Sequence, residues 1–253
     1  MLTEGIGITS LTQPGTESDK TPRRKPDTEP VIELIPYDRT YFNHPEKLRQ
    51  FVRSCTVIVH LAYINRHTNP QTLYDENISI TRKLIHAFIA EKANPALIYS
   101  SSIRETEDSH YGRSKLHSRL LFQEWAQIAG APYTGLIVPN IYGPGAKPYY
   151  NSFIATFCDQ LINGDRPVVT TNREIPLLYI DDFCQYLKSK IQLNNYEQWP
   201  YRNFLKPDYR MTVLNVLEVL HSFHNNFIRT GKPLVSEDVN LMKLQETFRS
   251  YKR

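Results

Sequence analysis

The sequence predicts an α/β protein: a parallel sheet with helices on both faces and a smaller C-terminal lobe. Two observations carry this. Strand-like and helix-like stretches alternate from about residue 31 to 140, the pattern of βαβ units. The strand-like stretches, such as TVIVHLA, are β-branched and nearly continuous, as in strands buried on both faces.

In chain order, VIELIP after Pro30 reads as a short strand. HPEKLRQFVRS follows with Leu48, Phe51 and Val52 at helical spacing, then the strand TVIVHLA. ENISITRKLIHAFIAEK places Ile78, Thr81, Leu84, Ile85 and Phe88 on one helical face. PALIYSSS is a second buried strand. YGRSKLHSRLLFQEWAQIAG is a helix closed by Gly130, and YTGLIVPN is a strand ending at Pro139. From NSFIATFCDQLING onward the spacing is less regular. LLYIDDFCQYLKSKI reads as a strand running into a helix begun by Asp181 or Asp182, and helices follow over 211–226 and 236–250. Residues 12–30 are polar and proline-rich, and are expected to be flexible. PRRK within them reads as a solvated loop rather than a polyanion patch. The expected organisation is a flexible or degenerate segment over 1–30, a core over 31–150 and a mainly substrate-binding lobe over 151–253.

Composition narrows the function classes. A net charge of +4 and 40% hydrophobic content fit a globular domain and give no reason to expect nucleic-acid binding. Cys55, Cys158 and Cys184 form no Cys-x-x-Cys pair, so neither a disulfide framework nor a zinc site is expected. Buried free thiols in a reducing cytosol are the expectation. Asp181–Asp182 reads as a helix cap rather than a metal site, and His60 as a core histidine. No apolar run approaches the ~20 residues of a membrane span, and MLTEGIGITSLTQPG lacks the features of a secretory signal. The expected location is cytoplasmic.

The chemistry-bearing stretch is SHYGRSK, residues 109–115. Ligands of parallel sheets bind beyond the carboxyl ends of the strands, where HLAYINR, SSSIRE, VPNIYG and the start of the Tyr111 helix fall. On a helix, Tyr111 and Lys115 share a face. Free tyrosine has a pKa of ~10, and a neighbouring ammonium favours the phenolate. Tyr111 then suits proton donation to a carbonyl oxygen while hydride arrives at carbon. Lys115 would hold Tyr111 and a ribose hydroxyl of a nicotinamide cofactor, and a serine from 100–102 would share the substrate oxygen. Taken alone, the pair also reads as a surface tyrosine with a solvated lysine, and the serines as caps.

The ordered context adds a resemblance. SSSIRETEDSHYGRSK, with VIVHLAYINR upstream and PNIYGPGAKPYYNSFIATFC and LLYIDD downstream, resembles an extended short-chain dehydrogenase/reductase of the epimerase/dehydratase group. More narrowly, it is similar to the reductase domain of capsular-polysaccharide UDP-4-keto-6-deoxy-sugar reductases, over roughly residues 31–250. The resemblance implies a Rossmann domain, NADPH or NADH with NADPH favoured, and reduction of a UDP-linked 4-keto-6-deoxy sugar. It makes Tyr111 the proton donor, Lys115 its cation and ribose clamp, and Ser102, or Ser101, the group polarising the carbonyl. Leu61, Ala62, Tyr63, Asn77 and Ser100 would lie at the cofactor, Pro139 at the nicotinamide and Arg39 near a 2′-phosphate. Asn140, Asn151, Ser152 and Arg173 would contact the sugar nucleotide. Many such proteins dimerise through the helix of the Tyr-Lys pair and its neighbour. Here Leu120, Leu121 and Trp125 would lie either there or in the core.

Two departures stand out. The family's first strand with its Gly-x-x-Gly-x-x-Gly turn, which lets backbone approach a pyrophosphate, is absent; TEGIGITSL offers only Gly5 and Gly7. Residues 2–11 then supply a substitute strand, or the sheet is rearranged, or the chain is a truncated version of a longer one. Tyr63 stands where relatives commonly have glycine and would crowd the cofactor edge. The cupin-like domain of the capsular enzymes has no counterpart here, so no second activity is expected. Two readings follow: an NAD(P)-dependent reductase or epimerase, and a non-catalytic protein that keeps the fold without the cofactor.

Overall fold

Three consecutive strands leave no polar face and so become the inside of a sheet. β3 (Val57–His60) and β5 (Tyr133–Val138) are buried throughout, and β4 (Ala96–Ser102) is buried as far as Tyr99. They follow β1 (Gly7–Leu11) and β2 (Ile32–Leu34) in a computed structural model that describes residues 7–11 and 32–251. The expected flexible stretch 12–30, its PRRK motif and Gly5 lie outside the described residues. β3 and β4 run parallel, with Ile58 opposite Leu97 and His60 opposite Tyr99.

The helices form where the apolar spacing predicts them. α1 (Pro45–Arg53) buries Leu48, Phe51 and Val52. α2 (Pro70–Glu91) begins six residues earlier than its apolar spacing suggests. Asn69 accepts from the backbone N–H groups of Gln71 and Thr72, and Pro70 supplies the first turn. α3 (His110–Ala129) is capped by Ser109 and ends at Gly130, whose φ of 65° suits a residue without a Cβ. Trp125 stacks on Phe88 at 4.4 Å and belongs to the core, whereas Leu120 is exposed.

The sheet order is β2-β1-β3-β4-β5-β8, with β8 spanning Asn203–Phe204. The expectation of a parallel sheet fails at one side. β1 does supply a strand beside β3, but it is antiparallel to both β2 and β3, with Gly7 opposite Val59 and Thr9 opposite Val57. A ladder satisfies backbone N–H and C=O groups in either direction. Nothing in GITSL itself requires the parallel one.

Described residues 7–11, 32–136 and 188–203 form one compact unit; 137–187 and 204–251 form another. The second is built on the sheet β6-β7-β9, from β6 (Asn140–Tyr142), β7 (Glu174–Tyr179) and β9 (Tyr209–Thr212). α4 (Phe153–Ile162), α6 (Val213–Thr230) and α7 (Val239–Ser250) belong to it. So does the first part of α5 (Ile180–Gln192), where Asp181 and Asp182 lie in the first turn and Asp182 pairs with Lys243. Cys55 and Cys158 are buried as expected; Cys184 is not, because it lies on the outward side of α5. Among the described residues no helix is long and apolar enough to cross a membrane.

One core position is costly. His60 is fully buried among the rings of Phe42, Tyr63, Tyr99 and Phe122, and both ring nitrogens lack a hydrogen-bond partner among the described residues. Burial, reinforced by Lys115, pushes its pKa down to about 3. The folded state therefore holds His60 neutral where the unfolded chain protonates it, and stability falls as pH drops from the ordinary histidine pKa of ~6.5 towards 3. His60→Leu is expected to raise the unfolding free energy at neutral pH by about 1 kcal/mol. It should also flatten the acid limb between pH 6 and 4, both read by urea denaturation.

Candidate active site

The carboxyl end of β4 runs into a 3-10 turn, Ile103–Thr106, and the chain then enters α3. This return brings Ser102 to Tyr111. Ser102 Oγ caps the turn by accepting from the Arg104 N–H at 3.2 Å, and it also interacts with the Tyr111 phenol, favouring its ionised form. Gly112 makes the approach possible. A Cβ there would lie 2.3 Å from the Arg104 carbonyl oxygen and 2.7 Å from that of Glu107. Any larger residue would push the start of α3 off the turn that carries Ser102.

The three serines separate by strand parity. Successive side chains on a strand point to opposite faces, so Ser101 cannot share the face of Ser100 and Ser102. Ser101 is buried and donates to Glu105 at 2.6 Å. Glu105 is itself buried and paired with Arg119 at 2.9 Å and Arg202 at 3.1 Å. Ser101 is thus committed to an ion cluster under the site, away from Tyr111. Ser100 contributes its carbonyl oxygen, which accepts from Lys115 Nζ at 2.8 Å.

Lys115 is buried at 4% exposure. Its ammonium lies 3.7 Å from the Tyr63 ring centroid, 5.4 Å from that of Tyr99 and 5.9 Å from that of Tyr111. Burial draws its pKa down to about 7. Tyr111 moves the other way. Burial raises its phenol to about 12, against the opposing pull of the Arg104 guanidinium, 5.1 Å from the ring. The expectation that Lys115 lowers the Tyr111 pKa is therefore corrected: the ammonium is turned to Ser100 and Tyr63, and Arg104 is the closer cation.

Tyr63 also departs from expectation. At 4% exposure its ring does not project over the sheet rim. It turns inward, and its hydroxyl meets Thr81 Oγ1 at 3.3 Å. Asn77, expected near a cofactor, is a backbone clamp. Its amide accepts from Ile64 N–H at 2.8 Å, donates to Ile64 C=O at 3.0 Å and reaches Ser114 Oγ at 3.2 Å. Ser114 in turn donates to the Tyr111 carbonyl at 2.8 Å. Ala62 is buried, and Leu61 is half-buried. Arg39 is exposed and lines a cavity of about 500 Å³ with Asn43, Ile64, Glu76, Ser79 and Lys83.

The remaining candidates lie in the second unit. Pro139 is buried between β5 and β6. Asn140 donates to the Pro176 carbonyl at 3.3 Å. Ser152 caps α4 by accepting from Ala155 N–H, and Asn151 and Arg173 are exposed. Gly112, Arg104 and the Glu105–Arg119 pair were not foreseen. Glycine in the first turn of an otherwise good helix was the one available signal for a close approach.

The chain's own residues fit a nicotinamide cofactor unequally at its two ends. At the reacting end, Ser102, Tyr111 and a buried ammonium stand together. At the phosphate end, antiparallel β1 sends Leu11 to the amino side of β3. No described residue builds a glycine turn into a helix at the carboxyl rim.

A parallel β3-α2-β4-α3 core with a Ser-Tyr-Lys cluster at its rim defines the class: an α/β scaffold of the dinucleotide-dependent reductase and epimerase type. The chain belongs to the NAD dependent epimerase/dehydratase family, whose sequence profile matches residues 6–194. It is 31% identical over 201 residues to UDP-2-acetamido-2,6-beta-L-arabino-hexul-4-ose reductase of Pseudomonas aeruginosa, covering 77% of this chain and 52% of that protein. Among solved structures it resembles the capsular polysaccharide assembling protein CapF of Staphylococcus aureus. The TM-score is 0.69 at 28% identity, over 81% of this chain and 56% of the other. It shares its fold with UDP-glucose 4-epimerase of Thermotoga maritima, at TM-score 0.67 and 16% identity over 83% of this chain and 82% of that one. The chain thus spans about half the length of its capsular and reductase relatives.

Two outcomes test this geometry. Gly112→Ala should cost on the order of 2 kcal/mol in denaturant unfolding, because backbone on both sides must yield. Lys115→Met isolates the buried ammonium. The unfolded lysine keeps its proton up to ~10.5, whereas the folded one releases it near 7, so Lys115 penalises folding less as pH rises between those values. The stability of the unmodified protein relative to Lys115→Met should therefore increase from pH 7.5 to 9.5, by on the order of 1 kcal/mol per pH unit.

Proposed function

We propose that the chain is the reductase part of a nucleotide-sugar enzyme: an NAD(P)H-dependent reductase of a UDP-linked 4-keto-6-deoxy sugar, serving surface-polysaccharide synthesis in the cytoplasm. The observation that carries this reading is the meeting of Ser102 and Tyr111 above the buried Lys115 ammonium. Bound dihydronicotinamide supplies the hydride. Tyr111 gives its proton to the substrate oxygen, and Ser102 holds that oxygen by a hydrogen bond. A phenol with a raised pKa stays protonated at neutral pH, which suits the donor role. Lys115 keeps N–H groups for a ribose hydroxyl beyond the one given to Ser100.

In this reading residues 31–150 carry the dinucleotide, with Leu61, Ala62, Ser100 and Pro139 along it. Residues 151–253 form most of the substrate lobe, where Asn140, Asn151, Ser152 and Arg173 meet the nucleotide sugar. Exposed Leu120, with Leu121, supports pairing of two copies through α3; Trp125 takes no part. The cavity beside Arg39 and Lys83 supports NADPH, since its two cations outnumber the one carboxylate, Glu76, that also lines it.

Antiparallel β1 favours a second reading, a family member that keeps the fold and has lost cofactor affinity. Calorimetry with NADPH and NADH separates the two. Micromolar binding, with NADPH the tighter and Arg39→Ala erasing at least about tenfold of that preference, is the expected result. Turnover of the 4-keto sugar should then fall by a factor of about 100 or more in Tyr111→Phe. A folded protein that binds neither nucleotide at millimolar concentration would establish the second reading.

A further inference from the structure

Tyr63, expected to crowd the cofactor edge, has a definite place in the structure. The ring is buried with the Lys115 ammonium 3.7 Å from its centroid. Its far end is fixed: the hydroxyl meets Thr81 Oγ1 at 3.3 Å, and Thr81 donates to Ser118 at 2.7 Å, tying the ring to α2 and α3 together. Its backbone is fixed as well, because Asn77 holds both polar groups of the next residue, Ile64. A cation over a ring face is attracted by the ring's quadrupole, and the attraction grows when water is excluded.

We propose that Tyr63 is a positioning residue whose ring face holds the Lys115 ammonium against the Ser100 carbonyl, fixing the cation that a nicotinamide ribose would meet. The contact exists in the chain on its own; its use in cofactor binding rests on the reductase reading above. Burial draws the amine towards its neutral form, and a neutral amine has little affinity for a ring face. The ring opposes this by favouring the charged form. The groups facing the ammonium are few: the Tyr63 ring from the loop after β3, Tyr99 and the Ser100 carbonyl from β4, and Tyr111 from α3. His60 on β3 acts on it at longer range and is held neutral. None of them is a carboxylate, so among the described residues the ring meets no anionic competitor for the cation.

The test titrates Lys115 directly. Protein labelled with ¹³C at lysine Cε is followed by NMR from pH 5.5 to 10.5, the Lys115 signal being assigned by its loss in Lys115→Arg. Tyr63→Phe keeps the ring and should titrate like the unmodified protein. Tyr63→Leu removes the ring face and should move the midpoint down by about one pH unit or more. Pentafluorophenylalanine at position 63 keeps the volume and reverses the face potential, so it should shift the midpoint in the same direction even if the leucine variant fails to fold. A midpoint unchanged on fluorination would overturn the proposal, as would an equal shift in Tyr63→Phe. NADPH calorimetry on the same proteins gives the functional arm, with Tyr63→Phe near the unmodified affinity and the fluorinated variant weaker by about tenfold. If the unmodified protein binds no NADPH, the reductase reading fails while the titration still decides the role of Tyr63.

Discussion

A buried ammonium is the constraint around which the rest of the larger unit is arranged. Removing a lysine charge from water is among the more expensive things a fold can do. Lys115 is tolerated because several groups converge on it: a backbone carbonyl from β4, a ring face from the loop after β3, and further rings at the periphery. The supports of those supports are polar and buried. Asn77 grips the loop, Thr81 and Ser118 tie the Tyr63 hydroxyl, and Ser114 links Asn77 to the first turn of α3. The contact between α2 and α3 is therefore threaded with hydrogen bonds where an ordinary helix pair would carry only apolar side chains.

The second arrangement beneath the site is ionic. Glu105, buried between Ser101, Arg119 and Arg202, anchors the turn that presents Ser102. It holds the turn from below, while Gly112 lets α3 press on it from above. Ser102 and Tyr111 are thus placed by rigid elements on both sides.

Much of this was legible in the sequence, and the reasons differ by element. β3, β4 and β5 announced themselves because strands buried on both faces cannot alternate, and α1 and α3 because their apolar spacing is regular. α2 was found but begun too late, since its first turn is set by Asn69 and Pro70 and not by apolar residues. The direction of β1 was not legible, because the local pattern of GITSL is the same read either way. Tyr111, Lys115 and Ser102 were singled out by their order along the chain, and the structure brings Ser102 to Tyr111. Ser101 was separable from Ser102 by strand parity alone. The inward turn of Tyr63 was not, because it depends on Thr81 and Lys115 arriving from helices far away in sequence. The same is true of Arg104, whose position over Tyr111 exists only once the turn closes.

The reversed first strand has a consequence for inheritance. Among the described residues, the groups facing Lys115 come from one uninterrupted stretch, from His60 to Ser118. The groups around Lys115 and the segment where a pyrophosphate turn is expected are thus written in separate passages of the chain. The earlier passage can therefore change, in sequence or in strand direction, without disturbing the packing around the buried ammonium.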